Sequence, residues 1–353
     1  MERKNLLKCM MLLLNLAALS IGTSAGPLLL KFYFMYGKRE WLCAFIQTAG
    51  WPILIVPIWV SSTYNKKQGY PDTFHVTPRL CLASIGIGLL TGLQDFLYAW
   101  GLRYLPISTS ALLNSSQLGF NAGFAYLIVR QKFTPYSINA VILLSLGTVM
   151  LSFNTRIDKP KEVTHANYIG GFAATMCAAA LYGLILPVIE FVYGRTRRQI
   201  TYTLVMEMQL IMSFSASVLC AIGMTVNNDF MAIPMEAKTT RLGELCYYII
   251  LVWIAISWQL FFIGVFGVIF LKNSLLSGII IAVFIPVNQV LAVFVYHEKF
   301  SGEKGIAMVL ALWGFASYLY GEQRYSKDLE EGQQGLESAN REEQEQTPQE
   351  QVD

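Results

Sequence analysis

The chain has 353 residues, of which 54% are hydrophobic and only 14% charged, with a mean hydropathy of +0.46 and a formal net charge of +3. An ordinary soluble domain is about 25% charged, so the composition excludes one and points to an all-α integral membrane protein that crosses the bilayer many times. The excess positive charge is spread over many loops, which leaves no basic patch for nucleic acid.

In chain order, residues 1–8 form a basic cytosolic N-terminus carrying Arg3, Lys4 and Lys8. Met1 to Gly26 has the basic, apolar and small residues of a secretory signal. The apolar run continues through Pro27-Leu-Leu-Leu, however, so an uncleaved first helix is the better reading. A spanning helix needs about 20 mostly apolar residues. Ten such segments follow, at 9–30, 41–60, 80–101, 107–129, 136–154, 167–192, 203–226, 245–270, 274–296 and 305–321. The fifth and tenth are short, and the sixth and eighth are long enough to tilt. All 26 Lys and Arg fall in loops, tails or segment ends, as expected when a cation at a helix centre costs about 2.5–3.5 kcal/mol. With the N-terminus inside, the inner loops and tails hold 15 of them and the outer loops 11, a small bias toward both ends being cytosolic. From 326 to 353 the chain turns rich in Glu and Gln and net acidic, the composition of a disordered, solvated tail.

The segments carry a sparse set of polar side chains. Gln47 and Trp51 are four apart in the second, and Trp51 beside Pro52 also suits an interfacial anchor. Gln94 and Tyr98 are four apart in the third, with the carboxylate of Asp95 adjacent. In the fourth, Ser110, Asn114, Gln117 and Asn121 recur at i, i+4, i+7 and i+11 and share one face, a polar stripe about 16 Å long at 1.5 Å per residue. Glu190 closes the sixth segment as an interfacial partner for Arg195 or Arg197. Glu207 and Gln209 lie in the seventh, and Trp258 and Gln259 in the eighth. A single buried amide or hydroxyl serves equally well as interhelix glue, worth about 0.6–2 kcal/mol. Four on one face point to a solvated cavity or a ligand site. Carboxylates inside a membrane are functional candidates by default, because a desolvated carboxyl can take up and release protons near neutral pH. Asp95 and Glu207 are therefore the candidate proton carriers.

The chain also repeats itself. Shifted by 167 residues, Ala125–Gly147 lies over Ala292–Gly314, and Lys132/Lys299, Phe133/Phe300, Ala140/Ala307, Leu143/Leu310 and Gly147/Gly314 coincide. In the same register Ser110 meets Ser277 and Asn121 meets Asn288; at a slightly different offset Gln94 meets Gln259. Residues 9–154 and 167–321 are thus two five-helix repeats. Five is odd, so the halves insert in opposite senses, the inverted repeat used by many secondary transporters. Asn114 and Gln117 correspond to Ile281 and Phe284, so one wall of a central site offers amides and the other apolar and aromatic surface. That suits a flat, weakly charged heteroaromatic ligand, with Trp51, Tyr98 or Phe284 stacked on its ring. It suits a phosphorylated one poorly, because no Lys or Arg falls at mid-depth.

Other chemistry is missing from the sequence. There is no GxxxxGK[ST], HExxH or GxSxG motif. Cys9, Cys43, Cys81, Cys177, Cys220 and Cys246 share no motif spacing, and His75, His165 and His297 form no cluster. No enzyme activity, cofactor or metal is expected.

The stretch YLPISTSALLNSSQLGFNAGFAYLIVRQKFTP (Tyr104–Pro135) resembles the signature of plant purine permeases. GPLLLKFYF, LYGLILPVIE, VMEMQL and HEKFSGEKGIAMVLALWGFASYLYGE resemble it too, in the same order, over nearly the whole chain except the extreme N-terminus and the tail. The resemblance implies a drug/metabolite transporter fold of ten helices in two inverted repeats. It also implies proton-coupled uptake of adenine-like bases, cytokinins or related alkaloids, most simply at the plasma membrane. The resemblance assigns no individual residue; from the helical faces, Gln94, Asn114, Gln117, Asn121, Gln259 and Asn288 are expected at the ring edge, Trp51, Tyr98 and Phe284 at its faces, and Asp95 or Glu207 on the proton. The partners are then a purine-like small molecule, protons and the lipid bilayer. Two rivals are a nucleotide-sugar or other metabolite exchanger of the same superfamily, and a non-transporting membrane receptor or scaffold.

Overall fold

The computed structural model describes residues 2–67, 76–105, 110, 113–114, 116–131, 133–153, 164–196, 201–240, 243–296, 302, 305–306, 308–310, 312–321 and 323–324; the acidic tail 326–353 lies outside them. Helix follows helix, with no strand among the described residues: α1 (Glu2–Phe34), α2 (Glu40–Thr48), α3 (Pro52–Lys67), α4 (Pro78–Tyr104), α5 (Gln117–Phe124), α6 (Pro135–Phe153), α7 (His165–Arg195), α8 (Tyr202–Val226), α9 (Asp229–Thr239), α10 (Glu244–Leu271) and α11 (Ser274–Tyr296). A last apolar helix, α12, runs over Met308–Gly321. Among the described residues six stretches are long and apolar enough to cross a membrane: Lys8–Phe34, Glu40–Val60, Pro78–Tyr104, His165–Arg195, Tyr202–Val226 and Glu244–Leu271. Four shorter apolar helices, Gln117–Val129, Pro135–Gly147, Ser274–Ile285 and Met308–Gly321, fall within the remaining expected segments.

Local sequence sets several ends. Thr164 and Thr201 cap α7 and α8 by accepting from the Asn167 and Leu204 amides at 3.4 and 3.3 Å, as hydroxyl N-caps do. Asn273 does the same for α11, accepting from the Leu276 amide at 2.8 Å. Pro52 opens α3 after a turn at Ala49–Trp51, so the second expected segment is two helices in one span. α5 runs into a π turn, Ala125–Val129, and stops at Arg130 in a left-handed conformation (φ 53°).

Large apolar side chains such as Leu13, Trp59, Leu82, Val252, Phe294 and Trp313 stand exposed around the bundle. In water such a surface would aggregate; against lipid tails it is the ordinary exterior. Inside, the most extensive contacts are α1 with α10 and α4 with α7. Both depend on small residues. A methyl at Gly22 would run into the Phe261 backbone, one at Gly264 into Leu19, and one at Gly101 into Thr175. Close backbone approach of this kind drives helix association where no hydrophobic force is available.

The short helix α9 was not among the expected segments. It is tied to one end of the bundle by carboxylates. Glu236 accepts from the Tyr33 hydroxyl at 3.0 Å, the Tyr247 hydroxyl at 2.8 Å and the Lys38 amide at 3.0 Å. Asp229, its side chain fully buried, pairs with Arg39 at 3.1 Å and accepts from Asn227 at 3.0 Å. Burial pushes the Asp229 carboxyl above the usual carboxylate range, and Arg39 and Asn227 oppose that rise. Arg103 pairs with Glu40, joining α4 to α2 at the same end.

Candidate functional site

A cavity of about 110 Å3 lies within the bundle. At about 10–15 Å3 per water this is room for several waters, or for one small bicyclic ring in their place. Its walls come from both halves of the chain. α1 gives Thr23, Pro27 and Lys31; α4 gives Gln94 and Tyr98; Ser110 and Asn114 precede α5, and Gln117 is its first residue. From the second half come Tyr182 of α7, Trp258 and Phe261 of α10, and Ile281, Ile285 and Asn288 of α11.

The aromatic surface is a connected set. Trp258 meets Tyr98 edge-on at 6.4 Å and Phe261 edge-on at 5.3 Å, and Phe261 meets Tyr182 at 6.0 Å. Edge-on pairs hold each other's orientation, so the wall presents fixed ring surfaces. The polar groups are few. Gln94 Oε1, Ser110 Oγ, Tyr182 OH, Trp258 Nε1 and Asn288 Oδ1 are buried without a hydrogen-bond partner in the protein. A polar atom left in that state costs about 1–3 kcal/mol. A ligand with both ring nitrogens and N–H groups can recover that cost.

The sequence-derived candidates divide. Gln94, Tyr98, Asn114, Gln117 and Asn288 line the cavity, as does Ser110 of the same stripe. Asn121 does not: it is buried between helices and its Nδ2 donates to the Ser274 carbonyl at 3.2 Å. Gln259 is buried behind Trp258, its side chain packed against Gly50 at the α2–α3 turn. Trp51 sits in that turn, edge-on to Phe214 at 5.4 Å and away from the cavity. Phe284 is half-buried on α11, where Ile281 and Ile285 face the cavity in its place; the aromatic surface comes instead from α4, α7 and α10. Asp95, next to Gln94 in α4, is buried with Oδ2 unpartnered, and Glu207 is buried in α8; neither lines the cavity. Glu190 accepts from the Ser274 amide at 2.7 Å, not from Arg195, which lies over the Phe191 ring at 5.1 Å; Arg197 lies outside the described residues.

Thr23, Lys31, Tyr182 and Phe261 line the cavity and were not singled out from sequence. Pro27, a proline inside an apolar span, was the available signal for the α1 face. Lys31, in the last turn of α1, brings a cation to the cavity wall from a helix end, not from mid-depth.

Apolar helices against lipid, around a cavity with fixed aromatic faces and a few convergent polar groups, define a polytopic membrane protein that handles a small ring compound. A family model described as purine nucleobase transmembrane transport matches residues 10–328. "Purine permease 3" of Arabidopsis thaliana is 44% identical over 329 residues, 92% of this chain and 94% of that protein. "Purine permease 2" of the same organism is 41% identical over 332 residues, 90% of this chain and 93% of the other. A solved crystal structure, 15% identical, matches with a TM-score of 0.63 over 89% of this chain and 98% of its own and shows the fold alone. The chain belongs to the purine permease family, membrane transporters of purine nucleobases and not enzymes.

Proposed function

We propose that this chain is a secondary active transporter that takes up adenine-like bases and cytokinins across the plasma membrane, driven by the proton gradient. The observation that carries the reading is the cavity: room for one bicyclic ring, fixed aromatic faces, and amide and hydroxyl groups contributed by both halves. Asn114, Gln117 and Gln94 contact the ring edge, and Tyr98 and Trp258 hold its face. Asp95 or Glu207 carries the proton; Asp95 follows the cavity residue Gln94 and has an unpartnered carboxyl oxygen.

The moving parts are two inverted five-helix halves. Exchanging each span with the one five places on turns the contact of the first with the eighth (α1 with α10) into that of the sixth with the third (α7 with α4). Those are the two most extensive contacts in the bundle, as expected of a two-fold pseudo-symmetric carrier.

The test is uptake of labelled adenine and trans-zeatin into permease-deficient cells, with and without a protonophore. Protonophore-sensitive uptake is expected. No uptake of either compound overturns transport; uptake indifferent to the protonophore overturns the coupling alone. Lys31 on the cavity wall favours a second reading, exchange of a nucleotide sugar or another anionic metabolite. Competition of adenine uptake by a nucleotide sugar would support it.

A further inference from the structure

Pro27 lies inside α1. Proline has no N–H, so the carbonyl four residues back, that of Thr23, loses its helical donor. A membrane interior supplies no bulk water to replace it. Asn288 of α11 does so, its Nδ2 donating to the Thr23 carbonyl at 2.8 Å. A carbonyl can only accept, so this bond fixes the amide's orientation. Thr23, Pro27 and Asn288 all line the cavity.

The same residue types approach each other again across the two halves, on α7 and α5, with a different outcome. Pro187 lies inside α7 and deprives the Gly183 carbonyl of its donor in the same way. The backbone of Asn121, which aligns with Asn288 in the internal repeat, passes close to Gly183: a methyl there would stand 2.7 Å from Phe120 Cβ and 2.9 Å from the Asn121 backbone nitrogen. Yet the Asn121 side chain is turned to α11, with Nδ2 on the Ser274 carbonyl at 3.2 Å. One asparagine is bonded to its proline-freed carbonyl; its counterpart packs beside its own and bonds elsewhere.

We propose that Asn288 and Asn121 are paired positioning residues whose bonds alternate during transport. Asn288 leaves Thr23 as Asn121 moves from Ser274 to Gly183, so that the breaks in α1 and α7 are held in turn and the cavity opens first to one side and then to the other. The proposal rests on the transport reading above. In each opening one proline-freed carbonyl is held and the other released, the exchange of roles expected between two inverted halves.

Two measurements on the full-length protein test it. The first is a double-mutant cycle read as thermal stability. Asn288→Ala is expected to lower Tm in the native background and to have little further effect on Pro27→Ala, where the restored N–H already serves Thr23. A side chain that only touched ligand would not move Tm in this pattern, and an equal loss in both backgrounds overturns the proposal. The second holds Asn121 away from Gly183 by cross-linking Asn121→Cys to Ser274→Cys, with the single-cysteine variants as controls. Adenine binding should persist while uptake falls about tenfold or more, as when one of two required states is removed, and should recover on release of the cross-link. Undiminished uptake with the cross-link formed overturns the alternation. Adenine binding and uptake by the unmodified chain, measured alongside, report separately on the transport reading, and the stability cycle needs no ligand.

Discussion

Asn114 and Gln117 line the cavity, while Asn121, on the same helical face, is bonded into α11. The reason is packing. Asn121 lies a turn beyond Gln117, where α5 meets α11 and the Ser274 carbonyl accepts from its amide. Spacing identified the face and could not say where along it the cavity stops. The two groups should therefore fail differently. Replacing Asn114 and Gln117 together by alanine removes ring-edge partners, each worth about 1 kcal/mol, and should raise the KM for adenine uptake about tenfold or more at matched expression. Unchanged kinetics would show that both act only as glue between helices.

α9 is the element the sequence did not reveal. It is too short to span a bilayer, and what holds it is not local: Glu236 reaches Tyr33, Lys38 and Tyr247, and Asp229 reaches Arg39. Its attachment gives a pH-dependent prediction. Burial raises the Asp229 carboxyl and Arg39 opposes the rise, so Arg39→Ala should raise it further. An acid whose folded value lies above its unfolded one binds its proton more tightly when folded, so its contribution to stability improves as pH falls through that range. The Tm deficit of Arg39→Ala should thus be larger at neutral pH than just above the ordinary carboxylate range, around pH 5; an equal deficit at both would mean Asp229 does not sense Arg39. Six of the ten expected spans were legible because hydrocarbon thickness dictates their length; at the others the described residues form shorter apolar helices. Tyr182 and Phe261 were not legible as cavity residues, because α7 and α10 are apolar on every side and carry no periodic signal of which face turns inward.

At the scale of the whole molecule, proton-driven uptake needs a group whose proton moves only as the cavity changes sides. Asp95 is well placed for this. It follows Gln94 of the cavity wall and is buried in α4, which packs against α7. A side chain that couples a gradient to a cycle differs in its effect from one that binds substrate. With the carboxylate replaced by its neutral isostere in Asp95→Asn, the cavity and its ring contacts remain, so labelled adenine should still exchange for unlabelled adenine across a proteoliposome membrane. Net accumulation against a gradient, driven by an imposed pH difference, should be lost. Glu207→Gln provides the comparison, since Glu207 is buried in α8 and does not line the cavity. If Glu207→Gln abolishes accumulation and Asp95→Asn does not, the proton passes through α8. If both variants still accumulate adenine, neither carboxylate is the coupling group.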